Sequence, residues 1–384
     1  MTTAGVYLHI PFCRSRCSYC DFATDVYKNS EAVDRYVNAL VSELNLFPES
    51  KIQDPKSKIP VDTIYFGGGT PSLLTPTQLE KILEAAGKNF TISDGAEITM
   101  EMNPATVTLE TLAAYKHLGV NRASFGAQTF DDRELKRLGR RHTASDVRET
   151  IELLRGAGYR KVGFDLIAGL PRQTLADWER NLDEALELKP EHLSLYLLEI
   201  HEATPLAEQI RSGRQPAPDE ELAAAMYEMM LEKVGASGLR EYEISNFAKS
   251  GYESKHNQAY WNRTAYKAFG LGACSFDGQN RFQNEKNLSK YINALENNKD
   301  CVSFSENLTQ EQIWVEKIML GLRQLMGLEL KYILEDIDNI KKENLLNKID
   351  SLIKQDLLKI ENGVVSLTRR GLSLENEIVL KLIS

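Results

Sequence analysis

VDTIYFGGGTPSLLTPTQLEKILEAAG, residues 61–87, holds one complete structural unit. Val61–Phe66 is a short apolar strand signal that stops at Gly67-Gly68-Gly69. Thr75-Pro76-Thr77-Gln78 then places Thr at an N-cap, Pro at N1 and Gln at N3, the pattern of a capping box. Leu79, Ile82, Leu83 and Ala86 follow at i, i+3, i+4 and i+7, the apolar stripe of a helix, and Gly87 stands where a C′ glycine would end it. A strand, a glycine turn and an amphipathic helix in that order form a βα unit, and βα units in series imply a parallel sheet covered by helices.

The rhythm recurs on both sides. Val6–Ile10, Glu97–Met102, Arg122–Phe125, Val162–Ala168 and Leu193–Ile200 read as strands; Thr108–Leu118, Ala144–Ala157 and Thr174–Leu188 read as helices. Six strands in succession predict an α/β fold, a partial (β/α)6 TIM-like barrel, with an open doubly wound sheet as the alternative. Cys13, Gly67–Thr70, Glu101, Gln128, Asp165 and Glu199 all fall near or just past a strand's C-terminal end. That is the rim where barrels build their sites, which favours the barrel. Along Glu97–Met102, Ile98, Met100 and Met102 share one face while Glu97, Thr99 and Glu101 share the other. The apolar face should meet the helices, so Glu101 should point into the interior.

After Arg211 the pattern changes. Residues 214–219 read as a linker, 220–234 as a Met-rich helix whose Met226, Met229 and Met230 form a core face, and 241–283 as short strands and loops. From Thr309 the chain reads as helical, and Asn362-Gly363 is a hairpin turn signal between two short strands. The expected division is 1–215 as the core, 216–300 as an extension and 301–384 as a smaller winged-helix-like domain.

The chain has 384 residues, 42% apolar and 26% charged, enough for a sizeable core. No stretch approaches the roughly 18 uninterrupted apolar residues of a membrane span, and the first residues lack the features of a signal peptide, so a cytoplasmic protein is expected. A net charge of −9 argues against a broad nucleic-acid surface. Five cysteines in so long a chain exclude a disulfide scaffold.

Three of the five lie together: Cys13-Arg14-Ser15-Arg16-Cys17-Ser18-Tyr19-Cys20. Three closely spaced thiolates suit an iron–sulfur cluster with one iron left open. A zinc site usually needs a fourth ligand, and His9 could supply it on spacing alone. The intervening Arg and Ser residues argue against a buried apolar loop. Cys274 reads as a small buried thiol and Cys301 as structural or exposed without function. His117, His142, His192 and His201 show no metal-like spacing, and Glu335, Asp336 and Asp338 read as a solvated helix face.

The C-x3-C-x2-C spacing after a first strand resembles the signature of the radical S-adenosylmethionine (SAM) superfamily. Tyr7–Cys13, Gly67–Ser72, Gly126–Phe130, Leu138–His142 and Asp165–Pro171 resemble, in order, its coproporphyrinogen-oxidase-like branch. The resemblance implies that Cys13, Cys17 and Cys20 hold a [4Fe–4S] cluster and that SAM chelates the open iron. It implies that Tyr7, Tyr19, Gly68, Gly69, Thr70, Glu101, Gln128, Arg140 and Asp165 surround SAM, with the backbone at Glu199 beside its adenine. Glycines let a ligand approach the backbone, an interior carboxylate suits a ribose hydroxyl or ammonium group, and Arg140 can grip a carboxylate bidentately.

Two readings within the branch compete. One is the oxygen-independent coproporphyrinogen III oxidase, which decarboxylates propionate side chains. The other is the HemW family, described as heme chaperones, which implies heme, a heme-accepting protein (with peripheral contact to a membrane-bound acceptor) and a monomer or homodimer. The oxidase motif continues to a fourth cysteine, whereas here Asp21-Phe22 follows Cys20. The oxidase carries an N-terminal extension before the first strand, which here begins at about Val6. His256-Asn257-Gln258-Ala259-Tyr260-Trp261 is the H-N-x-x-Y-W run associated with heme in the chaperone group, and imidazole is a common axial ligand. Cys274 stands where relatives often carry histidine. The chaperone reading is favoured, with His256 as the candidate heme ligand.

Overall fold

The computed structural model describes residues 4–47 and 58–384. Its centre is a run of parallel strands: β1 (Ala4–Ile10), β2 (Ile59–Gly68), β3 (Phe90–Met102), β4 (Arg122–Gln128), β5 (Lys161–Ala168) and β6 (His192–Leu197), each hydrogen-bonded to the next. A further strand, β7 (Tyr266–Phe269), pairs in parallel with the free side of β1. Antiparallel strands extend both ends, giving a twelve-stranded sheet whose edges are Val302–Asn307 and Arg240–Glu243. The edges do not pair with each other, so the barrel is partial and open.

Alternation sorts the side chains of this sheet as expected. Val6, Leu8, Ile10, Ile64, Phe66, Met100 and Phe125 are almost wholly buried in the apolar core. The other face is polar and aromatic. Register places Tyr7 beside Tyr65 and Tyr65 beside Thr99, and neighbouring inward rows carry His9, Glu101 and Asp165. Burying the apolar side chains supplies most of the driving force, at roughly 25 cal/mol per Å². It leaves the inward face available for chemistry.

Local signals explain the helices. The Pro76–Asn89 helix has its reciprocal capping box: Gln78 N–H donates to Thr75 Oγ1 (3.2 Å), and Thr75 N–H donates to Gln78 Oε1 (2.8 Å). Thr108, Thr143, Thr174 and Thr309 cap their helices in the same way. Gly87 does not end its helix. The helix runs on to Asn89, whose buried side-chain amide donates to the Leu44 carbonyl, and the chain passes straight into β3. That tertiary hydrogen bond replaces the glycine stop. The segment read as strands and loops also contains a short helix, Lys255–Trp261, which carries the H-N-x-x-Y-W run.

Beyond the sheet, the Gln310–Leu322 and Asn339–Lys354 helices pack with a three-stranded sheet and a terminal helix, Glu375–Ile383. Strands Leu358–Glu361 and Val364–Leu367 meet at Asn362-Gly363, both with positive φ (52° and 79°), as a type I′ hairpin requires. No helix among the described residues is long and apolar enough to cross a membrane.

Candidate cofactor site

The rim is built where β1, β2 and β3 end. Gly69 N–H donates to the Ile10 carbonyl (2.8 Å), tying the glycine turn to the end of β1. A Cβ on Gly69 would stand 2.7 Å from the Pro11 carbonyl carbon and 2.8 Å from the Phe12 oxygen. Gly68 has φ +108°, and a Cβ there would meet the His9 ring at 2.5 Å. A side chain at Gly69 would move the chain that leads into Cys13, and one at Gly68 would displace the His9 ring.

Glu101 lies inside, as its strand face required. Its carboxylate accepts from Tyr65 OH (2.7 Å) and from Gly68 N–H (3.1 Å). Burial pushes its carboxyl up to about 7, against the lowering effect of the Tyr65 hydrogen bond. Asp165, hydrogen-bonded by Ser194, is pushed up to about 6 by burial. Two interior carboxyls poised near neutrality can accept from hydroxyls or pair with an ammonium group.

Arg140 lies half-buried at the centre of the rim. Its guanidinium donates to Gly126 O (2.6 Å), to Asn103 Oδ1 (2.9 Å) and to Cys17 Sγ (3.5 Å). Asn103 in turn donates to Thr70 Oγ1 (2.7 Å), and Thr70 donates to Cys13 Sγ (3.5 Å). This chain joins two of the cysteines to two of the sequence candidates through Asn103, which sequence reasoning missed. Its only signal was the Asn-Pro step that closes β3.

Gln128 is buried with φ +70°, beside a register shift that bends β4 at Gly126. Tyr19 packs on Leu138, Ile167 and Leu170. Tyr7 stacks on Tyr65 at 6.1 Å. Glu199 lies past β6 with its side chain 82% exposed, so only its backbone can face the interior.

The three cysteines are half-buried and are not joined by disulfides. Burial raises the Cys13 thiol and pushes Cys20 up to about 11, so they become thiolates only against a strong positive charge. Arg140 and Thr70 donate toward two of them, which suits sulfurs carrying negative charge. His9 is not available as a zinc ligand. Its Nε2 is engaged with Ala23 O (2.8 Å) and its Nδ1 with Tyr7 OH (3.1 Å). No three Cys, His, Asp or Glu side chains among the described residues are grouped to hold one metal ion. Three thiols from one loop, two of them accepting from Thr70 and Arg140, are the soft donor set that an iron–sulfur cluster would take.

His256 lies deeper, below the tyrosines. It is 1% exposed; Nδ1 meets Thr63 Oγ1 (2.9 Å) and Nε2 meets Tyr260 OH (2.9 Å). The ring stacks on Tyr65 at 5.0 Å, and burial drives its pKa down to about 3. Both nitrogens are engaged, the geometry of a hydrogen-bonded packing residue. Cys274, expected to be buried, is exposed; its sulfur receives the Gln283 amide (3.1 Å) across the hairpin. Cys301 is buried, which favours the structural of the two readings.

Comparison with known proteins identifies the family. The radical SAM superfamily profile matches residues 7–185, and that of the HemN C-terminal domain matches residues 308–374. The protein named heme chaperone HemW in Bacillus subtilis (strain 168) is 36% identical over 375 residues, 97% of each chain. The chain belongs to the HemW family of the radical SAM superfamily. The Escherichia coli (strain K12) HemW is 37% identical over 270 residues, 70% of this chain and 69% of that one. A mouse relative, radical S-adenosyl methionine domain-containing protein 1, mitochondrial, is 40% identical over 273 residues, 71% of this chain and 60% of its own. Among solved structures, the coproporphyrinogen III oxidase HemN of Escherichia coli superposes with a TM-score of 0.84 at 22% identity, over 100% of this chain and 90% of that one. That likeness concerns the fold. Family membership implies an iron–sulfur cluster and SAM.

Proposed function

We propose that this protein is a heme chaperone: it binds heme and passes it to an acceptor protein, and it carries a [4Fe–4S] cluster and SAM. The observation that carries the reading is similarity over 97% of the chain to a protein named heme chaperone HemW. Phe22, 62% exposed two residues after Cys20, supports it, because the oxidase motif has a further cysteine there.

Cys13, Cys17 and Cys20 would hold the cluster, which supplies one-electron chemistry when bound. The residues around it have separable tasks. Gly68, Gly69 and Thr70 keep the first shelf of the rim flat enough for SAM to reach the backbone. Glu101 and Asp165 accept from its hydroxyls or ammonium group, and Arg140 pairs with its carboxylate. Tyr7, Tyr19, Gln128 and the backbone at Glu199 enclose the rest. Arg140 also offsets negative charge at Cys17. His256 supports this floor from below. The same reading calls for a heme-accepting protein.

The test is anaerobic reconstitution followed by two assays. Titration with heme should give a saturable Soret band, and incubation with coproporphyrinogen III, SAM and a reductant should give no decarboxylated product. Turnover of coproporphyrinogen, or failure to bind heme, would overturn the reading. Cys17→Ala should abolish the iron–sulfur absorption; a full cluster in that variant refutes the ligand set.

A further inference from the structure

His9 touches both halves of the rim, the strand that carries Tyr7 and the loop that carries the cysteines. Its ring is 5% exposed and fills the space that Gly68 leaves open, where a Cβ would come within 2.5 Å of it. Its backbone is held as well. Tyr36 OH donates to the His9 carbonyl at 2.6 Å, and Leu271 N–H donates to the Tyr36 oxygen at 3.0 Å.

The two ring nitrogens meet partners of different kinds. Nε2 lies 2.8 Å from the Ala23 carbonyl oxygen, and Nδ1 lies 3.1 Å from Tyr7 OH. A carbonyl oxygen can only accept, so Nε2 carries the hydrogen. Burial lowers the pKa of the ring, which keeps it neutral at neutral pH, and a neutral imidazole has a single N–H. Nδ1 is then an acceptor, and Tyr7 OH donates to it. The hydroxyl proton of Tyr7 is thereby committed, and its oxygen offers lone pairs alone to the rest of the rim.

The Nε2 bond acts on the cysteine loop. That loop leaves β1 and returns beside it, where Asp25 N–H donates to Pro11 O and Tyr27 N–H donates to Cys13 O, both at 2.8 Å. These backbone bonds close the base of the loop. Ala23 lies inside that base, three residues after Cys20, so the His9–Ala23 bond fixes the returning chain nearest the last cysteine. Hydrogen bonds from outside a ligand set commonly orient its members in this way.

We infer that His9 is a positioning residue with two separable tasks. Its Nε2–H holds the cysteine loop closed behind Cys20, and its Nδ1 makes Tyr7 an obligate hydrogen-bond acceptor, so that Tyr7 meets a donor group of the ligand, an ammonium or a hydroxyl. The inference rests on the reading that the rim holds the cluster and SAM. It adds the polarity of Tyr7 and a tie on the cluster loop from outside its ligands.

Two conservative variants separate the tasks. Glutamine places an amide N–H near the position of Nε2, so His9→Gln keeps the bond to Ala23 and loses the acceptor for Tyr7. Asparagine places an amide oxygen near the position of Nδ1, so His9→Asn keeps that acceptor and does not reach Ala23. The full-length protein is reconstituted anaerobically, loss of iron–sulfur absorption is timed in excess chelator, and SAM binding is measured by calorimetry. One hydrogen bond corresponds to a change of about fivefold. His9→Asn should lose its cluster about fivefold faster and bind SAM as the wild type does, whereas His9→Gln should keep its cluster and bind SAM about fivefold more weakly. In a Tyr7→Phe background His9→Gln should have no further effect on SAM, because the hydroxyl it orients is gone; a histidine with a merely structural role would still matter there. Variants that shift both readouts together, variants that leave both within twofold of the wild type, or a His9→Gln effect that persists beside Tyr7→Phe overturn the assignment. Nitrogen NMR of the histidines before reconstitution reads the tautomer without any variant, and an Nδ1–H form of His9 overturns it as well. A wild type that takes up no cluster overturns the cofactor reading itself.

Discussion

Replacing His256 by alanine separates a heme ligand from a structural support. The ring is 1% exposed, sits against Tyr65, and bridges Thr63 and Tyr260 through both nitrogens. Losing two hydrogen bonds costs about 1–3 kcal/mol, and truncating a buried ring of this size costs about 3–5 kcal/mol when the site does not collapse. The terms overlap, so a loss of about 3–5 kcal/mol is expected in protein that has never seen heme. The pH dependence carries a second signature. Burial holds the folded-state pKa near 3, below the ordinary histidine value near 6.5. A neutral buried histidine contributes its full stability above pH 6.5. That contribution is lost as pH falls through 6.5 toward 3, because only the unfolded chain takes up the proton. The variant has no such group, so its deficit should be largest at pH 7.5 and narrow steadily toward pH 4. Urea denaturation of the heme-free protein, followed by tryptophan fluorescence across that range, reads both effects. A deficit under about 1 kcal/mol at pH 7.5, or one that does not change with pH, refutes the supporting role. Loss of the heme spectrum with stability unchanged would make His256 a ligand after all.

Glu101→Gln should split binding from stability. A carboxyl raised to about 7 is most stabilising when protonated, so wild-type stability falls as pH rises from about 4.5 through 7. The glutamine variant escapes this, gaining up to about 3 kcal/mol above pH 7, while SAM binding measured by calorimetry weakens; equal urea midpoints at pH 8 would contradict it. Gly69→Ala forces a Cβ within 2.8 Å of the backbone at Pro11 and Phe12. It should cost about 1–3 kcal/mol and reduce iron–sulfur absorption after reconstitution, and normal cluster content would show the turn to be adaptable. Gly363→Ala puts a side chain at φ +79° in the hairpin turn and should lower stability by about 1 kcal/mol, read from the thermal midpoint.

What was legible in the chain was what short-range chemistry determines. The capping boxes, the alternation along β3 that turns Glu101 inward and the Asn362-Gly363 turn are each written within a few residues of where they act. Elements that depend on distant partners were not legible. Gly87 looked like a helix stop because nothing nearby reveals that Asn89 reaches Leu44. β7 joins β1 across some 260 residues of sequence and gave no periodic signal in so short a strand. Asn103 looked like punctuation after a strand, yet it connects Thr70 to Arg140. Cys274 was misread as buried because a hairpin's solvent face is set by what packs on its other side.

The H-N-x-x-Y-W run shows why a motif and a mechanism can differ. Its helix begins at Lys255, whose N–H donates to Glu97 Oε1 (3.0 Å), an interior carboxylate that also faces Arg122 and Lys161 at 3.7 Å each. His256 and Tyr260 bond each other beneath Tyr7 and Tyr65. At the other end, Trp261 lies under Arg323, 5.2 Å from its guanidinium, and Arg263 forms a buried pair with Glu316 on the Gln310–Leu322 helix. Arg323 also faces Glu375, on the terminal helix, at 3.7 Å. One short helix therefore touches the polar interior of the sheet and the C-terminal domain together. His256, Tyr260 and Trp261 each make a contact at that junction, so these three residues have structural work that does not require an iron ligand.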